Sequence, residues 1–145
     1  MNKFTKIFIL IIFIINLSNI SFSEKNFYSE GLKLFKEKKY DDAKFLFERN
    51  IVLDPKHSDS YLYLAKIYNK EKNQKKEKKN LETALLIDPA NEEVILMLME
   101  IGIEKTNYSK VKELSERFTK VCKILCKENN KILKKLENLE PKNES

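Results

Sequence analysis

Few side chains in this chain are of the types that carry covalent or metal chemistry. There is one histidine, His57, and there are two cysteines, Cys122 and Cys126. Zinc sites draw on three or four converging ligands, and one imidazole with a Cys-x-x-x-Cys pair falls short of that; the Cys-x-x-Cys spacing of zinc ribbons and thioredoxin-like sites is absent. No metal site and no cofactor is expected. His57 lies in the Pro55 to Ser58 connection as a lone loop imidazole, which reads as inert. The 22 carboxylates are dispersed over charged stretches, so no general acid and base pair stands out. With only two glycines there is no Gly-rich phosphate loop, and there is no Gly-x-Ser-x-Gly elbow. No catalytic residue is assigned, and the chain reads as non-enzymatic.

Two features retain some chemistry. Cys122 and Cys126 stand four residues apart. On a helix that spacing sets the Cα atoms about 6 Å apart, inside the window a disulfide tolerates. It is equally compatible with a pair of small buried hydrophobes. The second feature is a basic run, with six Lys and two Glu between Asn69 and Asn80. Its centre, Asn73-Gln74, has the character of a turn. A solvated turn and helix face accounts for such a run, and an anion-binding patch is the alternative.

The elements that would position these groups follow from composition and period. The chain has 145 residues, 42% of them hydrophobic, enough for one modest domain with a core. Both charge signs are abundant, with 28 basic and 22 acidic residues, which excludes a polycation or a one-sign disordered tail. Two Gly and three Pro are too few for the turns of a sandwich or barrel, so an all-α fold with short connections is expected.

The N-terminus has the three parts of a secretory signal. Lys3 and Lys6 precede an apolar run from Ile7 to Leu17, broken only by Asn16, and Ser21-Phe22-Ser23 places small residues at cleavage spacing. Residues 1–23 are therefore expected to be removed. The run is about half the ~20 apolar residues of a bilayer-spanning helix, and the alternative is an inner membrane anchor formed by an uncleaved signal. Export, most simply to the periplasm, makes nucleic acid an unexpected partner despite a sequence pI of about 9.1. Lys, Ile and Asn usage of this kind is typical of AT-rich genomes and places the expectation in a bacterial cell envelope.

A repeat emerges beyond the leader. Asp54-Pro55 and Asp88-Pro89 are 34 residues apart, each after an apolar pair, Val52-Leu53 and Leu86-Ile87. Aligned on those prolines, Phe27, Gly31, Tyr40, Ala43 and Phe47 fall in step in the first unit. Tyr61, Leu64, Ala65, Tyr68 and Ala84 do so in the second. The pattern resembles the tetratricopeptide repeat family, whose unit is an antiparallel helix pair with small residues at the crossing. Gly31, Ala43, Ala65 and Ala84 are small enough for close helix approach, while the aromatic positions fill the space between turns. Asn50, Glu77 and Leu81 depart from the family pattern.

The units are expected at 24–57, 58–91 and, in degenerate form, 92–125, within one repeat domain over 24–140. Ser58 and Asn91 are suited to cap helices starting near them. Val111, Phe118, Leu125, Ile132 and Leu139 are spaced by seven, as in one long helix. Asn129-Asn130 is the expected break, with a separate capping helix at about 130–139 and a tail over 141–145. The fold class is thus a short α-solenoid of antiparallel helix pairs with a C-terminal capping helix.

The resemblance implies a concave groove lined by the first helix of each pair, where a peptide or partner helix docks. Its expected residues are Tyr28, Leu32 and Phe35 from unit one, Tyr63, Lys66 and Asn69 from unit two, and Met97 and Glu100 from unit three. Leu62, Leu96 and Ile103 are expected to line it as well. Some relatives grip a terminal carboxylate with Lys, Arg and Asn at fixed positions. Here Lys25, Ser29, Tyr63, Glu93 and Met97 occupy those positions, so that clamp is not expected. A protein or peptide partner is the first expectation. Anionic lipid or glycan held by Lys70 to Lys79 is the alternative.

Overall fold

The computed structural model describes residues 26–139. The expected signal segment and its cleavage point, Lys25 and the tail from residue 140 lie outside the described residues. Seven helices are present among those described: α1 (Phe27–Lys36), α2 (Tyr40–Leu53), α3 (Ser58–Lys70), α4 (Gln74–Ile87), α5 (Glu92–Glu104), α6 (Tyr108–Val121) and α7 (Cys126–Leu139). Consecutive helices pair as α1/α2, α3/α4 and α5/α6, each pair stacks on the next, and α7 closes the array against α5 and α6. This is the expected all-α solenoid. None of these helices is long and apolar enough to cross a membrane.

The period is carried by the turns as much as by the core. Lys38, Lys72 and Thr106, 34 residues apart, hold positive φ values of 63°, 57° and 54° between the helices of each pair. A left-handed residue just past a helix end lets the chain reverse while the last carbonyls stay paired. The N–H groups of Lys39, Asn73 and Asn107 accordingly donate back to the carbonyls of Leu34, Tyr68 and Gly102, at 2.8–2.9 Å. Asn73 and Asn107 then cap the following helix with their side chains.

One expected cap is corrected. Asn91 accepts from the Val94 N–H, but α3 is capped by His57, whose Nδ1 accepts from the Ser60 N–H at 3.2 Å. Ser58 is already helical, and its hydroxyl donates instead to the Ala84 carbonyl at 3.1 Å, tying α3 to the end of α4. His57 is therefore not an idle loop residue. Its half-buried ring also lies 4.4 Å from the ring of Tyr28.

Small residues sit where helices cross. Ala43, Ala65 and Ala84 are fully inaccessible, and a Cβ on Gly31 would lie 3.0 Å from the Phe47 ring. Two apolar clusters result. Ala43, Phe47, Leu64, Ile67 and Tyr68 bind pair one to pair two. A larger cluster, including Leu81, Val94, Met99, Val111, Phe118, Ile132 and Leu136, joins pair two, pair three and α7.

The C-terminal break falls earlier than Asn129-Asn130. The chain leaves α6 at Cys122 and re-enters helix at Cys126 because the Glu92 carboxylate collects the N–H groups of Lys123, Ile124 and Leu125, at 2.8, 3.1 and 2.6 Å. Asn129 lies inside α7 and is buried, where its amide takes the Ser115 hydroxyl at 2.9 Å and donates to Thr119 at 3.2 Å. One continuous helix over 108–139 is thereby excluded. Cys122 and Cys126 form a disulfide across this corner, with Cα atoms 5.3 Å apart, rather than along one helix. The bridge closes a very short loop, so its loop-closure contribution is at most about 2 kcal/mol.

Candidate functional site

The concave side is built from α1, α3 and α5, and its character changes along the array. At the α1/α3 end an aromatic cluster forms because Tyr28 and Phe35 lie seven residues apart on α1, two turns along one face, and Tyr63 reaches them from α3. Tyr63 is 6.1 Å from Tyr28, 5.1 Å from Phe35 and 5.3 Å from the buried ring of Phe47, stacked on the last. These three site residues are half-buried, as is Leu32. The phenol of Tyr28 lies 3.5 Å from the Asp59 carboxylate, and burial together with that charge pushes its pKa up to about 12. Tyr28 therefore stays neutral at any physiological pH.

Lys66 connects the rings to the next pair. Its ammonium sits 4.5 Å from the Tyr63 ring centroid and 2.8 Å from the Glu93 carboxylate on α5. A desolvated cation over a ring face is held by the ring quadrupole, so the ion pair fixes Lys66 where it also covers Tyr63. One turn on, Asn69 donates to Glu77 at 2.9 Å. Glu77 is 5% exposed, and burial raises its pKa against the opposing hydrogen bond from Asn69.

At the α5 end the groove is narrowed by α7. Leu96 and Ile103 are buried, with Ile132 and Leu136 of α7 in the same cluster, and Leu62 is likewise core. Leu62 is thereby corrected to a packing residue, whereas Leu96 and Ile103, although largely buried, still line the space left between α5 and α7. A helical array exposes the apolar face of its last unit, and α7 buries it. Met97 stays half-buried and Glu100 exposed. Both line a remaining cavity of about 430 Å³ between α5 and α7, facing Leu125, Lys131 and Lys135.

The structure thus joins Tyr28, Phe35, Tyr63 and Lys66 into one patch, sets Asn69 beside it, and places Met97 and Glu100 in an adjoining cavity whose lining includes Glu93, the partner of Lys66. Sequence reasoning missed Phe47 and Glu93 as the groups that orient Tyr63 and Lys66. Phe47 was visible only as a core aromatic, and the Lys66–Glu93 pairing spans 27 residues with no periodic signal. No group of three or more His, Cys, Asp or Glu among the described residues is arranged to hold a metal ion.

The basic run is partly committed to internal contacts. Lys70 lies 5.3 Å from the Tyr40 ring, Lys76 lies 5.1 Å from the Tyr68 ring, and Lys78 pairs with Glu82 at 3.6 Å.

No family model matches the chain, and no curated protein matches it. Solved structures do. The first TPR domain of Spaghetti (RPAP3), bound to an HSP90 peptide, is similar with a TM-score of 0.66 at 18% identity, over 77% of this chain and 88% of that one. The type III secretion chaperone SycD of Yersinia enterocolitica, in complex with a peptide of the translocator YopD, gives a TM-score of 0.69 at 15% identity, over 77% and 90%. The Sgt2 TPR domain from Aspergillus fumigatus gives 0.64 at 19% identity, over 82% and 85%. The chain therefore has the tetratricopeptide repeat fold.

Proposed function

We propose that this tetratricopeptide-fold chain is a non-enzymatic protein–protein interaction module, an adaptor or assembly factor of a bacterial cell envelope, that takes an extended peptide or partner helix on its concave face. The observation that carries the reading is the patch of Tyr28, Phe35, Tyr63 and Lys66. Tyrosine, with a large ring and a polar tip, is among the side chains that dominate binding energy at protein interfaces, and here Tyr63 is held by Phe35 and Lys66 beside Tyr28. A ligand seated on this patch at the α1/α3 end would run on past Lys66 and Glu93 toward the cavity that α7 leaves beside Met97 and Glu100. The similar domains of Spaghetti and SycD are solved with peptides, which agrees with that use of the fold. Export rests on the leader pattern in residues 1–23.

The test separates binding from folding. Peptides selected on the purified protein from a random library should lose about 1 to 3 kcal/mol of affinity when Tyr63 and Lys66 are both changed to Ala. Because the Tyr63 ring stacks on buried Phe47, the variant also melts lower, and affinity is measured well below that melting temperature. Leu64→Ala should instead cost about 2 to 5 kcal/mol of stability, as a buried truncation does. Full affinity in the Tyr63/Lys66 variant, with loss on charge reversal of Lys75, Lys76, Lys78 and Lys79, would transfer the function to the basic turn. N-terminal sequencing of the protein from envelope fractions tests export, with Glu24 expected as the first residue and retained Met1 pointing to an anchor.

A further inference from the structure

The 34-residue period places equivalent residues at successive pair interfaces, and one equivalence is broken on the convex side. Tyr68 ends α3 with its ring in the gap between α2 and α4. Its hydroxyl lies 3.5 Å from Glu48, and the ammonium groups of Lys44 and Lys76 sit 5.9 and 5.1 Å from its centroid. Shifted by one repeat, Glu48 becomes Glu82, Lys44 becomes Lys78 and Lys76 becomes Lys110. The carboxylate and both cations are retained. Tyr68, however, becomes Gly102, which takes the same place in the turn, since the Tyr68 and Gly102 carbonyls accept from Asn73 and Asn107, each at 2.8 Å.

With the ring gone, the space is open. Lys78, Glu82, Gly102 and Lys110 line a cavity of about 420 Å³ between α4, α5 and α6, floored by apolar side chains that include Leu98 and Ile101. Nor can this chain fill it locally, because a Cβ on Gly102 would lie 2.6 Å from a Val111 methyl.

The rim has also changed sign. Lys44 pairs with Glu71 at 2.6 Å in the first interface, and the residue equivalent to Glu71 is Lys105. Likewise Thr83 becomes Arg117 and Asn80 becomes Leu114, and all three replacements line the cavity. Lys110 is paired with Glu113 at 2.7 Å and Lys78 with Glu82 at 3.6 Å, so the excess of cations rests on Lys105, which has no ion-pair partner among the described residues, and on Arg117, which donates to the Pro89 carbonyl at 3.0 Å. A cavity in the register of the Tyr68 ring, with an apolar floor, Glu82 where Glu48 meets the Tyr68 hydroxyl, and Lys105 and Arg117 added at its mouth, matches a phenol flanked by acidic groups.

We propose that the cavity at Gly102 is a binding pocket for a tyrosine side chain of a partner, presented in an acidic peptide segment and seated as Tyr68 is seated in the preceding interface. It lies on the opposite side of the array from the concave patch and does not depend on it.

The probe is a blocked pentapeptide with a central tyrosine and four acidic flanking residues, titrated into the ¹⁵N-labelled protein. The amides of Gly102 and Leu114 should shift. Replacing the tyrosine by alanine in the peptide should weaken binding at least about tenfold, the loss expected for removing a ring and its cation contacts. The protein variant Lys105→Glu with Arg117→Thr, which installs the residues of the first interface, should weaken it comparably without lowering the melting temperature. Tyr63→Ala with Lys66→Ala should leave it unchanged. Equal binding of the tyrosine and alanine peptides, shifts confined to α1 and α3, or undiminished binding by the Lys105/Arg117 variant would each overturn the assignment.

Discussion

The Glu92 carboxylate, in the first turn of α5, accepts the backbone N–H of Leu125 at 2.6 Å, 33 residues away. The same carboxylate holds Lys123 and Ile124. One side chain therefore satisfies the three N–H groups that the chain exposes as it turns from α6 into α7, as a capping carboxylate does at a helix start. The hydrogen bond from Leu125 leads the causes that hold the Glu92 pKa below its ordinary value of 4.5.

Glu92→Ala should loosen this corner without unfolding the array. Amide exchange at residues 123–125 is expected to accelerate, while protection in α3 and α4 is retained. Because the folded pKa is depressed, the contribution of Glu92 is present above 4.5 and is lost as pH falls from there through the folded value. The wild-type corner should therefore lose protection on acidification and the variant should not change further. Unaltered protection at Leu125 in the variant would show that the disulfide alone fixes the turn.

Ala65 and Ala84 are fully inaccessible at the crossing of α3 and α4. Leucine at either position must push the helices apart, an overpacking cost of about 1 to 3 kcal/mol. The melting temperature should drop in each variant. No drop in either would mean that the crossing can relax in a way the packed geometry does not indicate.

Thr106 occupies the left-handed region at φ 54°, although it is β-branched. That conformation is costly for an L-residue by about 1 to 2 kcal/mol, and glycine pays none of it. Thr106→Gly is expected to stabilise the protein by about 0.5 to 1 kcal/mol once the greater entropy of glycine in the unfolded chain is subtracted. Calorimetry checks the sign. The same change at Lys38 or Lys72 should act in the same direction.

Glu77 is buried against Asn69, and burial raises its pKa, with Glu104 and Glu100 adding to the rise. The folded state therefore binds the proton more tightly than the unfolded chain. Stability from this group is present at low pH and declines as pH rises from 4.5 through the folded value. Glu77→Gln keeps an oxygen to accept from Asn69 and removes the charge. It should raise the melting temperature at pH 7 relative to wild type, and the difference should shrink toward pH 4.

The helix pairs, their 34-residue period and the small residues at crossings were legible in the sequence because each is set by local spacing. Ala43, Ala65 and Ala84 announce close approach by their size, and the two Asp-Pro steps mark equivalent helix ends. The fold class follows from that regularity, since a repeat that cannot bury its own apolar face must stack on its neighbour. Tyr28 and Phe35 on α1 and Tyr63 and Lys66 on α3 were legible as groove residues through the resemblance, which implies that the first helix of each pair lines the groove.

Tertiary structure decided what depends on partners distant in sequence. Whether Leu96 and Ile103 face a ligand or the core is a question of where α7 lies, and no periodicity in α5 carries that information. Local propensity alone points to a break before α7 at Asn129-Asn130. It falls at 122–125 because Glu92, some thirty residues earlier, offers a carboxylate there, and because Asn129 gains more from buried hydrogen bonds to Ser115 and Thr119 than from ending a helix. The cavity at Gly102 is of the same kind. The sequence holds the glycine in the register of Tyr68, but only the packing of α4, α5 and α6 leaves the missing ring as open space, since Val111 blocks the one direction in which this chain could have filled it.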